Sequence, residues 1–135
     1  GCGMGNEVLH LPLKSGFYLM IELGSKREEY REITPYWIAR LVNRHFVDLL
    51  KISNEDAWQE KRYDESFVKE LESYITLNGA DVVFNDFDSV LFSYGYTKRR
   101  IKCKTGKLRI DYGKTEWGAE EGKKYFVIPL EGRIL

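Results

Sequence analysis

Residues 24–37 read Gly24-Ser25-Lys26-Arg27-Glu28-Glu29-Tyr30-Arg31-Glu32-Ile33-Thr34-Pro35-Tyr36-Trp37 and lie between two apolar segments. An ordinary surface loop does not need this order. If 27–33 is extended, its side chains alternate between two faces. Glu28, Tyr30 and Glu32 then point one way, and Arg27, Glu29, Arg31 and Ile33 the other. Lys26 arrives from the turn made by Gly24 and Ser25. Acids and bases so converge on a strand with few apolar residues to bury, which is how a polar ligand pocket is built. A structural salt-bridge network at a barrel mouth is the plain alternative, since charge clusters are commonly structural.

Working outward, residues 8–13 alternate loosely and predict a first strand. Ser15 is placed to cap a short helix whose stripe is Phe17, Met20 and Ile21, stopped by Gly24. Thr34-Pro35 starts a second helix, with proline in its first turn and apolar periodicity through Ile38, Leu41, Val42, His45 and Leu49. Residues 52–63 are polar and predict a connection, with at most a turn of helix around Trp58. Asp64 caps a third helix along Phe67, Val68, Leu71, Tyr74 and Ile75, ended by Asn78-Gly79. Residues 82–84, 89–96, 100–104, 107–112 and 124–130 then predict strands, with Thr105-Gly106 as a tight hairpin turn. The order of one strand, helices, then a run of strands gives an α+β fold whose antiparallel sheet curls into a small barrel, flanked by about three helices.

The spacing Gly24-x-Lys26-x-x-Glu29-x-Arg31, its continuation through Trp37, and the distal Glu116-Trp117-Gly118-Ala119 before a final strand resemble the ASCH domain in the version found in small phage and bacterial proteins. That family is a relative of the PUA RNA-binding fold, and the resemblance runs from about Leu9 to about Leu130. It implies a PUA-like barrel acting in an RNA context. Some members are amidohydrolases of N4-acetylcytidine that use a lysine, a threonine three residues on, and a distant glutamate. Lys26 matches the lysine, but Glu29 stands at the threonine position, so that mechanism does not carry over. Glu116 and Glu72 are the candidates for the distant acid.

At 135 residues the chain has the length of one domain; 1–7 is expected to be a flexible tail and 8–135 the domain. Lys plus Arg and Asp plus Glu are 21 each, which argues against gripping long duplex DNA by charge alone. Basic residues nevertheless cluster between Lys98 and Lys107 without an acid. There Arg100, Lys102 and Lys104 share a face suited to RNA backbone. Lysines guarding a solvated sheet edge explain the same pattern, and that reading is slightly preferred. Two cysteines and no membrane-length apolar run make a reducing, cytoplasmic compartment the default. His10 and His45 stand alone, so neither a metal nor another cofactor is expected.

Two functions follow. The first is an RNA- or nucleoside-binding module. Arg31 holds a phosphate or base edge, Glu29 reads an amine or orients Lys26, and Tyr30 or Trp117, beside Glu116, stacks. The alternative is a small amidohydrolase for an acylated or modified nucleoside, with Lys26 and Glu29 in acid–base roles. A phage-borne accessory protein that binds another protein is a third reading.

Overall fold

The computed structural model describes residues 7–134. Most of the expected tail lies outside that range, and Glu7 already belongs to the first strand, β1 (Glu7–Leu13). Its inward residues Leu9, Leu11 and Leu13 are buried, and the intervening positions are exposed. Helix α1 (Ser15–Glu22) follows; Lys14, not Ser15, holds the N-cap position. Gly24, at φ +81°, turns the chain into β2 (Glu28–Arg31).

The helical region is richer than expected. Thr34 caps α2 (Pro35–Leu41) by accepting from the Trp37 amide. The expected continuous helix then breaks at Val42 and Asn43. Val42 is extended and bridges Phe84, while Asn43 accepts from the His45 amide and starts α3 (Arg44–Ser53). The expected connection at 52–63 is instead the end of α3 followed by α4 (Glu55–Glu60). Asp64 caps α5 (Glu65–Asn78), as its position before the apolar stripe implied. The expected strand at 82–84 is a single helical turn, α6 (Ala80–Val83). Burial decides it: Val83 and Phe84 are both buried although adjacent, and Val82 is 51% exposed, a pattern a half-buried strand cannot give.

Strands β3 (Phe87–Tyr94), β4 (Arg100–Thr105), β5 (Arg109–Tyr112) and β6 (Lys124–Arg133) complete the sheet, in the order β1-β3-β4-β6-β2 with β5 also on β6. The sheet is mixed, since β1 runs parallel to β3 and the other pairs are antiparallel. It curls into a half-barrel. Thr105-Gly106 makes no hairpin. Strands β4 and β5 run in the same direction along one edge of β6, the first against residues 130–133 and the second against 124–127. Gly106 is the step between them; a Cβ there would lie 3.0 Å from Pro129 Cβ. The main core fills the inner face, with Phe126 and Ile128 of β6 packed against Leu41, Phe67 and Leu71 of the helices among others. A smaller cluster of Tyr30, Ala119, Tyr125 and Val127 sits on the other face of β2 and β6.

Candidate functional site

Strands β1 and β2 end the strand path and do not pair with each other, so the half-barrel has a seam. Side chains from β2 and the turn before it occupy that seam. Arg31 Nη2 spans the gap, donating to the Pro12 carbonyl on β1 at 3.3 Å and to Glu29 Oε2 at 3.1 Å. Glu29 Oε1 lies 3.3 Å from Lys26 Nζ and accepts from the Tyr30 amide at 3.0 Å. Lys26, Glu29 and Arg31 are thus brought together as one chain of charges.

Lys26 is 2% exposed and Glu29 5%. The Lys26 ammonium also donates to the Glu28 carbonyl at 2.5 Å and the Trp117 carbonyl at 3.0 Å. It lies 5.3 Å from the Phe17 ring centre and 5.0 Å from that of Tyr30, within cation–π range. Burial pushes its pKa below the ordinary lysine value, against the pull of Glu29. With a carboxylate and two carbonyls around it, its three protons are all donated.

Arg31 differs. Its Nη2 is engaged on two acceptors, but its Nε is buried and has no hydrogen-bond partner among the described residues. The guanidinium lies 5.0 Å from the centre of the Trp37 ring, which is half-buried against the core. Tyr36 packs edge-on against Trp37 and is 54% exposed. Trp37 flanks the charged strand in sequence and reads there as a core residue in preference to a stacking one; it is half-buried against the core and also lies beside Arg31, whereas the Pro12 carbonyl is the part of the site that sequence reading missed. Trp37 had a signal, six residues after Arg31 at the start of a helix. Pro12 had none, because only sheet closure brings it near.

The remaining candidates lie elsewhere. Tyr30 is not free to take the stacking role that sequence reading assigned to it or Trp117. It does share a face with Glu28, but residues 113–123 cover that face, and Tyr30 is 9% exposed. Its hydroxyl donates to Glu28 Oε1 and accepts from the Lys114 amide, and burial raises its pKa. It therefore offers no stacking surface. Glu28 is in turn held by Arg109 at 2.7 Å. Trp117 contributes its carbonyl to Lys26 while its half-buried ring lies under Lys114. Glu116 is exposed, and Glu72 is paired with Lys124 at 2.6 Å; neither is among the partners of Lys26. Arg100, Lys102 and Lys104 stand on the outward face of β4, away from this triad. Cys103 is buried, and burial raises its thiol pKa.

No protein-family model, curated protein or solved structure matches this chain. The geometry therefore carries the functional argument. Among the described residues no helix is long and apolar enough to cross a membrane, and no group of three or more His, Cys, Asp or Glu is placed to hold a metal ion. The triad instead suits recognition of an oxygen acceptor by Arg31, beside an indole and over a rigid acid–base pair.

Proposed function

We propose that the seam between β1 and β2 binds a nucleoside-sized group of RNA, with Arg31 as the contacting residue. The single observation behind this is the orphan Nε of Arg31. Arginine stays charged at any physiological pH, and a buried donor without an acceptor costs about 1–3 kcal/mol. A phosphate oxygen or base carbonyl entering the seam would remove that cost. Trp37 supplies an aromatic surface next to the guanidinium, where a base would gain a further ~1–3 kcal/mol by stacking. The resemblance to ASCH domains, with their RNA context, agrees with this reading. Glu29 acts here as the residue that holds Arg31, since both of its oxygens are engaged.

A second reading, hydrolysis of an acylated nucleoside, draws on the lowered pKa of Lys26 beside Glu29. It requires Lys26 to give up a proton already donated within the fold, so binding is the stronger reading.

A thermal-shift and calorimetric panel of nucleosides, nucleotides and short RNA tests the proposal, because a ligand of the native state raises its melting temperature. One nucleoside class should bind wild type and lose at least about fivefold in Arg31→Ala, the lower end of ~1–3 kcal/mol for such a contact. Equal binding by both proteins would remove the seam as the site. Turnover of an acylated nucleoside by wild type and not by Glu29→Gln would promote the second reading.

A further inference from the structure

Strand β4 pairs with β3 from Arg100 to Lys104 and, on its other side, with β6 from Cys103 to Thr105, where the Ile134 amide also donates to the Lys102 carbonyl. Its outward residues are Arg100, Lys102 and Lys104; Ile101 and Cys103 point into the core. Edge protection is the usual reason for lysines on a sheet, and this pairing removes it at Lys102 and Lys104. The ends of the strand path are β1 and β2.

What remains is three like charges recurring every ~6.6 Å along one strand face, an arrangement that repels itself unless acids lie across from it. None do. The cross-strand partners are Ser93, Leu91 and Ser89 on β3, and Gly132 faces Lys104 from β6. Beyond β3, the matching positions of β1 are Pro12, His10 and Val8. Arg100 donates only to the carbonyls of Thr97 and Arg99, and none of the three cations has a carboxylate partner among the described residues. Their chain neighbours Arg99 and Lys107 do, on Glu22 and Asp81. The acid beside the row is Asp88, which accepts from the Ser89 hydroxyl at 3.3 Å and forms no ion pair with Lys104.

The face also adjoins the seam. Pro12 belongs to it, and the Pro12 carbonyl is the one Arg31 grips. On the face, beside Pro12, lies a hollow of about 160 Å³ lined by His10, Pro12, Leu91, Ser93 and Arg100 among others. The ring on these strand positions is the exposed imidazole of His10, so the face can hold phosphates along its length and stack a base only beside that residue.

We propose that the outer face of β1, β3 and β4 binds the phosphodiester backbone of a single RNA strand, continuing from the seam across the hollow to Arg100, Lys102 and Lys104. The face stands on its own residues; only the statement that one nucleotide of that strand occupies the seam rests on the function proposed above. A row one residue wide follows one backbone.

The test is fluorescence anisotropy of a short mixed-sequence RNA against salt, on wild type, the double variant Lys102→Gln/Lys104→Gln, and Arg31→Ala. Each phosphate neutralised by a cation contributes about −0.7 to the slope of log affinity against log salt for single strands. Wild type should give a slope near −2 and the double variant one near −0.7. The double variant should melt no lower than wild type, because it loses repulsion and keeps the side-chain stems. A wild-type slope near zero, or one the double substitution leaves unchanged, overturns the proposal. So does competition by polyglutamate as effective as that by unlabelled RNA, which would mark the face as one for acidic protein segments. Arg31→Ala separates the two ideas: loss of nucleoside binding with the slope intact supports both. Nucleoside binding unchanged by Arg31→Ala, with the slope lost only in the double variant, sinks the seam and leaves the face standing.

Discussion

An ammonium group survives burial only when all its protons are donated, and Lys26 meets that condition through Glu29, the Glu28 carbonyl and the Trp117 carbonyl. Replacing it by methionine keeps the bulk, strips Glu29 of one partner and leaves two carbonyls unbonded. The expected loss is about 3 kcal/mol, the lower end for breaking a buried pair, because Arg31 still neutralises Glu29. The pH dependence has a definite sign. The folded pKa of Lys26 is lowered, so between that value and the ordinary 10.5 the unfolded chain holds a proton the folded one has released. Stability from this group therefore rises with pH as 10.5 is approached from below. Urea unfolding at a series of pH values should show the gap between wild type and Lys26→Met widening as pH increases; a constant gap would contradict it. Strand alternation alone placed Glu29 and Arg31 on one face and Glu28 and Tyr30 on the other, as the structure has them. It could not show that Tyr30 is covered, because the covering segment begins more than eighty residues later.

The covering element is the strap formed by residues 113–123. No backbone–backbone hydrogen bond among the described residues ties it to the half-barrel. Side chains do so instead: the Tyr30 and Tyr125 hydroxyls accept from the Lys114 and Glu120 amides, Lys26 holds the Trp117 carbonyl, and Lys123 pairs with Glu32 at 2.7 Å. Gly118 combines φ +103° with a position where a Cβ would lie 2.7 Å from the Phe17 ring. Gly122 has φ +79° and open space around it. Gly122→Ala should therefore cost only the left-handed backbone penalty, about 1–2 kcal/mol. Gly118→Ala should add overpacking of about 1–3 kcal/mol and loosen the Trp117 carbonyl from Lys26. Denaturant unfolding of both variants checks this, and equal losses would mean that Phe17 moves aside freely. Helix existence was legible for the long periodic stretches such as α5, whose cap and apolar stripe agree. The break at Val42 was not, because it depends on a bridge to Phe84, forty-two residues away. The strand expected at 82–84 failed for a local reason: a short apolar run has no period to decide between a strand and one helical turn.

At the scale of the whole molecule, the sheet is a half-barrel whose two end strands meet through a side chain and not through a ladder. An α+β fold with a curling sheet was legible from the order of elements, and the parallel β1–β3 pair was not, since register and partner choice are set by long-range closure. That closure also decides the site. The charges of β2 are local in sequence, but the acceptor that Arg31 reaches lies on β1, so the seam has the geometry of a clamp closed by one side chain. Because β1 is tied to β3 along its full length, and among the described residues Arg31 supplies the hydrogen bond from β2 to β1, loss of that side chain should free the seam-facing edge of β1 without unfolding the sheet. Hydrogen exchange in Arg31→Ala should accordingly quicken in residues 7–13 and leave β6, paired on both edges, at wild-type rates. A bound nucleoside should slow exchange in residues 7–13 of wild type and do nothing in the variant. Uniform acceleration across β1 and β6 would instead mean that Arg31 supports global stability and that the seam is no independent hinge, and the clamp would then have to be abandoned as the basis of ligand capture.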